Sequence, residues 1–126
     1  MHKSRLAGFS IDCETDDLHG AAEFWAAALG APTKPQADAA DSRYIGLDAP
    51  PDQPYIEVQQ VGHASRVHID IESDDVPAEV SRLEALGARK LAEIKEWVVL
   101  EAPTGQRFCV VPAASEEFES RANSWD

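Results

Sequence analysis

Two stretches of the chain carry the same order of apolar and polar positions. Residues 8–31 read GFSIDCETDDLHGAAEFWAAALGA and residues 66–88 read RVHIDIESDDVPAEVSRLEALGA. Each opens with strict alternation, the period of a strand whose two faces meet different surroundings. In the first copy Phe9, Ile11 and Cys13 point one way and Ser10, Asp12 and Glu14 the other; in the second, Val67, Ile69 and Ile71 alternate with His68, Asp70 and Glu72. The period then lengthens. Leu18, Ala22, Trp25 and Leu29, and later Val76, Val80, Leu83 and Leu86, recur at helical spacing. Asp16 or Asp17, and Asp74 or Asp75, supply the N-caps, because a carboxylate accepts hydrogen bonds from the unpaired amides of a first turn. Pro77 suits that turn, and Gly30 and Gly87 predict left-handed residues closing the helices. Since a helix follows each strand, the apolar row is expected beneath the helix and the polar row on the opposite side of the sheet.

Downstream of the first helix, Pro32, Pro35, Pro50, Pro51 and Pro54 interrupt the chain and leave strands at residues 43–47 and 55–61, with a short edge strand near 33–36. After the second helix, strands are expected at 90–94 and 97–101, and the turn Ala102-Pro103-Thr104-Gly105 leads into a last strand at 107–111. The order β-α-β-β-β therefore occurs twice, with Ser10 and His68 standing 58 residues apart in the two copies. The expected organisation is one α+β domain over residues 1–126, with one module at 7–61, a second at 66–112, and a polar tail at 113–126. Phe118 and Trp125 are the anchors available to that tail, expected as a short helix or a partly ordered end.

Composition narrows the function. A chain of 126 residues buries enough surface for one core without disulfides, and Cys13 and Cys109, each inside a strand, are expected as packed thiols. No apolar run approaches the roughly 20 residues of a membrane span, and the basic first residues lead into a strand rather than a signal sequence, so a cytoplasmic location is expected. A formal net charge of −12 repels phosphates, which argues against nucleic-acid and membrane partners; the same field would attract a cationic ligand, although surplus acid more often serves solubility. There is no G-x-S-x-G motif and no glycine-rich phosphate loop, and no catalytic residue is assigned.

The duplicated βαβββ unit, the strand Arg66-Val67-His68-Ile69-Asp70-Ile71 and the closing Pro103-Thr104-Gly105-Gln106-Arg107-Phe108-Cys109-Val110-Val111 together resemble the vicinal-oxygen-chelate superfamily. The similarity is greatest to small glyoxalase-like and bleomycin-resistance-like domains, whose last strand commonly reads Gly-Asn-Glu-Phe-Cys-Val. It covers nearly all of residues 7–112. The resemblance implies two tandem βαβββ modules forming an incomplete barrel of the glyoxalase/bleomycin resistance/dihydroxybiphenyl dioxygenase type, a cleft for a small molecule, and a homodimer. It also implies a divalent metal held by one residue from the first and last strand of each module, and the four matching positions are Ser10, Glu57, His68 and Cys109.

Here the chain departs from the family pattern, because Ser10 is a poor ligand where histidine or glutamate is usual. Glu57, His68 and Cys109 would still suit zinc, with Ni, Fe or Mn as other candidates; the competing reading gives a packed thiol, a hydrogen-bonded histidine and a solvated or Arg-paired glutamate. No cofactor is expected on that second reading. The row Asp12, Glu14, Asp70 and Glu72 is expected to be largely solvated, Arg107 to stand among carboxylates on the Cys109 face, and Tyr55 and Trp97 to line the pocket. The expected ligand contacts are thus Ser10, Asp12, Tyr55, Glu57, His68, Asp70, Trp97 and Arg107. The leading expectation is a non-catalytic or weakly catalytic binder of a small aromatic or cationic molecule, similar to the drug-sequestering members; the alternative is a metal-dependent lyase, isomerase or dioxygenase.

Overall fold

A computed structural model describes residues 1–35 and 42–126. In chain order its elements are β1 (His2–Glu14), α1 (Leu18–Leu29), β2 (Tyr44–Leu47), β3 (Tyr55–Val61), β4 (Arg66–Ser73), α2 (Val76–Ala85), β5 (Arg89–Ile94), β6 (Trp97–Glu101), β7 (Arg107–Pro112), α3 (Phe118–Arg121) and β8 (Asn123–Trp125). The chain divides into two compact units: Gly8–Val67, and Met1–Ala7 together with His68–Asp126. Both β1 and β4 pass from one unit to the other.

In the Gly8–Val67 unit, β1 runs parallel to β3 and β3 antiparallel to β2. Helix α1 packs on β2 and β3 and buries Leu18 and Ala22 against Ile45, Leu47 and Val58, with Cys13, Trp25 and Ile56 around them. Of the apolar row of β1, Cys13 packs with this core. Of the two candidate caps, Asp17 is the one used: its Oδ1 accepts from the Gly20 amide at 3.0 Å, while Thr15 Oγ1 accepts from the Asp17 amide at 3.0 Å. Gly30, at φ 68°, closes the helix in the left-handed conformation that glycine adopts without cost. The edge strand expected near 33–36 is reduced to one bridge from Thr33 to Leu47, and Gln36 lies outside the described residues.

In the second unit, β4 runs parallel to β7, and β7, β6 and β5 follow as antiparallel neighbours. Helix α2 starts at Asp75, whose side chain accepts from the Ala78 amide at 3.1 Å; Asp74 instead accepts from the Lys3 amide at 2.8 Å. Val80 and Leu83 pack with Val98, Leu100, Phe108 and Val110. One expectation fails here. Ile71 joins this core, but Val67 and Ile69 are 60% and 39% exposed, and α2 packs over β5, β6 and β7. Leu86 is also exposed; it ends the helix in a right-handed conformation, and the left-handed residue is the next one, Gly87, at φ 110°.

The chain ends are more structured than expected. β1 begins at His2, and His2, Lys3 and Ser4 pair with Trp125, Ser124 and Asn123 of β8. Trp125 donates from Nε1 to Ser4 Oγ at 2.8 Å, and the Arg82 guanidinium lies 3.8 Å over its ring. Beside them Glu79 is fully buried, accepting two hydrogen bonds from Arg82 at 2.8 Å and lying 2.8 Å from His2 Nε2. Burial pushes the Glu79 carboxyl up, but hydrogen bonds from Arg82, His2 and Ser4 and the guanidinium charge outweigh it and hold the carboxyl below its ordinary range.

Candidate functional site

The first strand of each repeat carries the polar row. On β1, Ser10 and Asp12 are buried, with Ser10 Oγ donating to Asp12 Oδ1 at 3.2 Å and Arg66 Nε 3.9 Å from Asp12 Oδ2. Ser10 stands level with Glu57 and Gly8 level with Tyr55 across the parallel β1–β3 ladder. Glycine is required at residue 8, since a β-carbon there would lie 2.5 Å from the Tyr55 carbonyl oxygen. Glu57 and Tyr55 are half-buried.

In the second unit the equivalent row gives a tighter arrangement. Asp70, 4% exposed, stands level with Cys109 across the parallel β4–β7 ladder. His68 lies two residues back on the same face of β4, with Nε2 3.4 Å from Asp70 Oδ1. One ligand atom from each of His68, Asp70 and Cys109 falls within 4.8 Å of the other two. In the first unit Ser10 is level with Glu57 and Asp12 with Gln59; in the second, Asp70, and not His68, is level with Cys109. The four positions the resemblance implied divide as Ser10 with Glu57 in one unit and His68 with Cys109 in the other. The residue that joins His68 and Cys109 is Asp70, which the sequence placed among general ligand contacts only. A His-x-Asp spacing on one strand face was the available signal.

The acidic row is not solvated as expected. Asp12, Asp70 and Glu72 are 2%, 4% and 2% exposed, and Glu14 alone of the four faces water. Burial of these carboxylates is offset by partners. Glu72 accepts from the Ala114 and Ser115 amides at 3.0 and 3.1 Å and from the Ser115 hydroxyl, with Arg5 Nε at 3.1 Å, so its task is to hold the segment after β7. Trp97 is half-buried opposite Ile94, and Arg107 is exposed opposite Glu101, which itself pairs with Arg89 at 2.8 Å. Burial pushes the Cys13 thiol up, in keeping with a packed side chain. Two shallow cavities in the Gly8–Val67 unit are lined by His19, Thr33 and Lys34 and by Thr15, Arg43 and Gln60, and neither includes an expected ligand contact.

The donor set of His68, Asp70 and Cys109 offers nitrogen, oxygen and sulfur, a combination zinc accepts while keeping a further position open. A zinc ion held there would act as a Lewis acid on an oxygen-bearing ligand. The protein's own contribution is to fix three donors on two adjacent strands, where the ladder sets their spacing.

A parallel pair of first and last strands, antiparallel neighbours beyond the last, and a helix after the first, occurring in both units, define the vicinal-oxygen-chelate class of α+β fold. Residues 9–111 match the family model described as glyoxalase-like domain, and the chain belongs to that family. No curated protein matches it. Among solved structures, a hypothetical protein from Bacillus halodurans is 11% identical with a TM-score of 0.64, covering 90% of this chain and 96% of that one. Methylmalonyl-CoA epimerase from Mycobacterium tuberculosis is 16% identical with a TM-score of 0.62, covering 86% of this chain and 88% of its own. A methylmalonyl-CoA epimerase in complex with methylmalonyl-CoA and NH4+ is 18% identical with a TM-score of 0.60, covering 90% and 98%. At such identities the likeness concerns the fold. Among the described residues, no helix is long and apolar enough to cross a membrane.

Proposed function

We propose that this glyoxalase-like domain binds a small organic molecule, aromatic or cationic, on the polar face that β4 and β7 share, and that binding rather than turnover is its activity. The observation that supports this reading is the convergence of His68, Asp70 and Cys109, with a nearly buried carboxylate at its centre. A carboxylate removed from water attracts an organic cation more strongly than one on the surface, and the net charge of −12 draws such a ligand toward the molecule. Within the same unit Trp97 and Arg107 complete the proposed contacts; Ser10, Asp12, Tyr55 and Glu57 are proposed as ligand contacts of the Gly8–Val67 unit, and the homodimer that the resemblance implies is part of the same reading.

The second reading, a metal-dependent lyase, isomerase or dioxygenase, draws on the same three donors, whose chemistry suits a divalent ion. Calorimetric titration of a panel of cationic aromatic compounds, run in the presence of chelator, separates the two. The binding reading expects a saturable ligand whose affinity falls about tenfold or more in D70N, the loss expected when one charge-assisted contact disappears. Ligand binding that vanishes with chelator and returns with metal would favour the enzyme; binding unchanged in D70N would remove the proposed site.

A further inference from the structure

We propose that residues 114–125 form a strap that lifts from the rest of its unit as one piece, with Glu72 as its catch, and so sets whether the polar face of β4 offers one carboxylate or two. His68, Asp70 and Glu72 share that face by the two-residue period of the strand, and Glu72 lies roughly 7 Å along it from Asp70. Glu72 Oε1 accepts from the Ala114 and Ser115 amides at 3.0 and 3.1 Å, while Oε2 accepts from the Ser115 hydroxyl and stands 3.1 Å from Arg5 Nε. Beyond this catch the strap is attached at Phe118, which is buried, and at Glu119, 3.0 Å from Lys3 Nζ. It ends in β8, where Trp125 donates from Nε1 to Ser4 Oγ at 2.8 Å with the Arg82 guanidinium 3.8 Å over its ring.

These attachments are few. Of the described residues after β7, Phe118 alone is buried; α3 is four residues long with no side-chain cap, and β8 pairs three residues of β1. A segment with so little buried apolar surface opens at a lower free energy than the core of its unit, where Val98, Leu100, Phe108 and Val110 pack with α2. The hinge falls at Ala113, whose amide donates to the Ser73 carbonyl at 2.9 Å, while the next amide already turns to Glu72. Lifting the strap removes both hydrogen bonds from Oε1 but leaves Arg5, on β1, beside Oε2, so opening strands no uncompensated buried charge. Closed, the strap takes the Glu72 carboxylate out of the face; open, Oε1 joins Asp70 there. The regulatory consequence rests on the binding reading above: a cation that gains a second carboxylate in the open state favours that state by linkage.

The test follows the strap in the full chain with no organic ligand present. Hydrogen exchange resolved by peptide should show residues 114–125 exchanging faster than β6, and a water-soluble carbodiimide with glycine ethyl ester should label Glu72 as the strap opens. Trp125→Ala, at the far end, should raise both the exchange of the Ala114 and Ser115 amides and the labelling of Glu72 by about tenfold, as expected when one hydrogen bond and one cation–π contact are lost. Ser115→Ala, at the catch, should raise the exchange of β8 by a similar factor. Unchanged exchange of β6 in both variants shows that the rest of the fold is retained, and Asp12, buried in the other unit, is the labelling control. Exchange of the strap no faster than that of β6, a Trp125→Ala effect confined to β8, or labelling of Glu72 that stays at the level of Asp12 would each overturn the proposal. Neither readout involves an organic ligand, so a strap that fails to open and a binding reading that fails by calorimetry are separate results.

Discussion

Glu79 offers the sharpest test of how this fold is held at its ends. It is fully buried on α2, yet it is satisfied by two 2.8 Å hydrogen bonds from Arg82 and by His2 at 2.8 Å. Glu79→Gln keeps the volume and removes the charge, leaving the guanidinium without its counter-ion. Breaking a fully buried pair costs about 3–5 kcal/mol, but the Arg82 side chain keeps 25% of its exposure and can be rehydrated, which lowers the expected cost to about 2–4 kcal/mol. Urea unfolding with a slope of about 2 kcal/mol/M would then show the midpoint falling by about 1–2 M. The deficit should also depend on pH. The folded Glu79 carboxyl is held below its unfolded value, so its contribution is full above about pH 4.3 and is lost as pH falls through the folded value. The gap between native protein and E79Q should therefore close on acidification below that point. A deficit under about 0.5 kcal/mol at pH 7, or one that persists unchanged in acid, would refute the view that this carboxylate is ionised and stabilising.

Gly8→Ala should destabilise by about 1–3 kcal/mol, because the added carbon meets the Tyr55 carbonyl oxygen at 2.5 Å and the β1–β3 ladder cannot open without losing pairs. Gly62→Ala, with nothing within 4 Å, is the control, and equal melting temperatures for the two variants would contradict the close-approach argument. Sedimentation velocity at micromolar concentration should give a dimer; a monomer would remove the homodimer from the proposed reading.

The order of elements was legible in the amino-acid sequence because it depends on local periods: the alternation at Ser10 to Glu14 and at His68 to Glu72, the helical stripes after them, and the caps at Asp17 and Asp75. Gly30 and Gly87 marked the helix ends for the same reason, since a positive φ is a property of one residue. What lies at long range was not legible. The exposure of Val67 and Ile69, the pairing of β8 with the first residues of β1, and the burial of Asp12, Asp70 and Glu72 all depend on which distant segments arrive to cover them. The site shows the division most clearly. A repeat of 58 residues aligned Ser10 with His68, but it could not tell which residue of a later strand would stand level with either, because loop lengths set the ladder register. Only the folded chain put Asp70, and not His68, opposite Cys109. A shift of two residues preserves every alternation in the sequence and still changes which side chains touch.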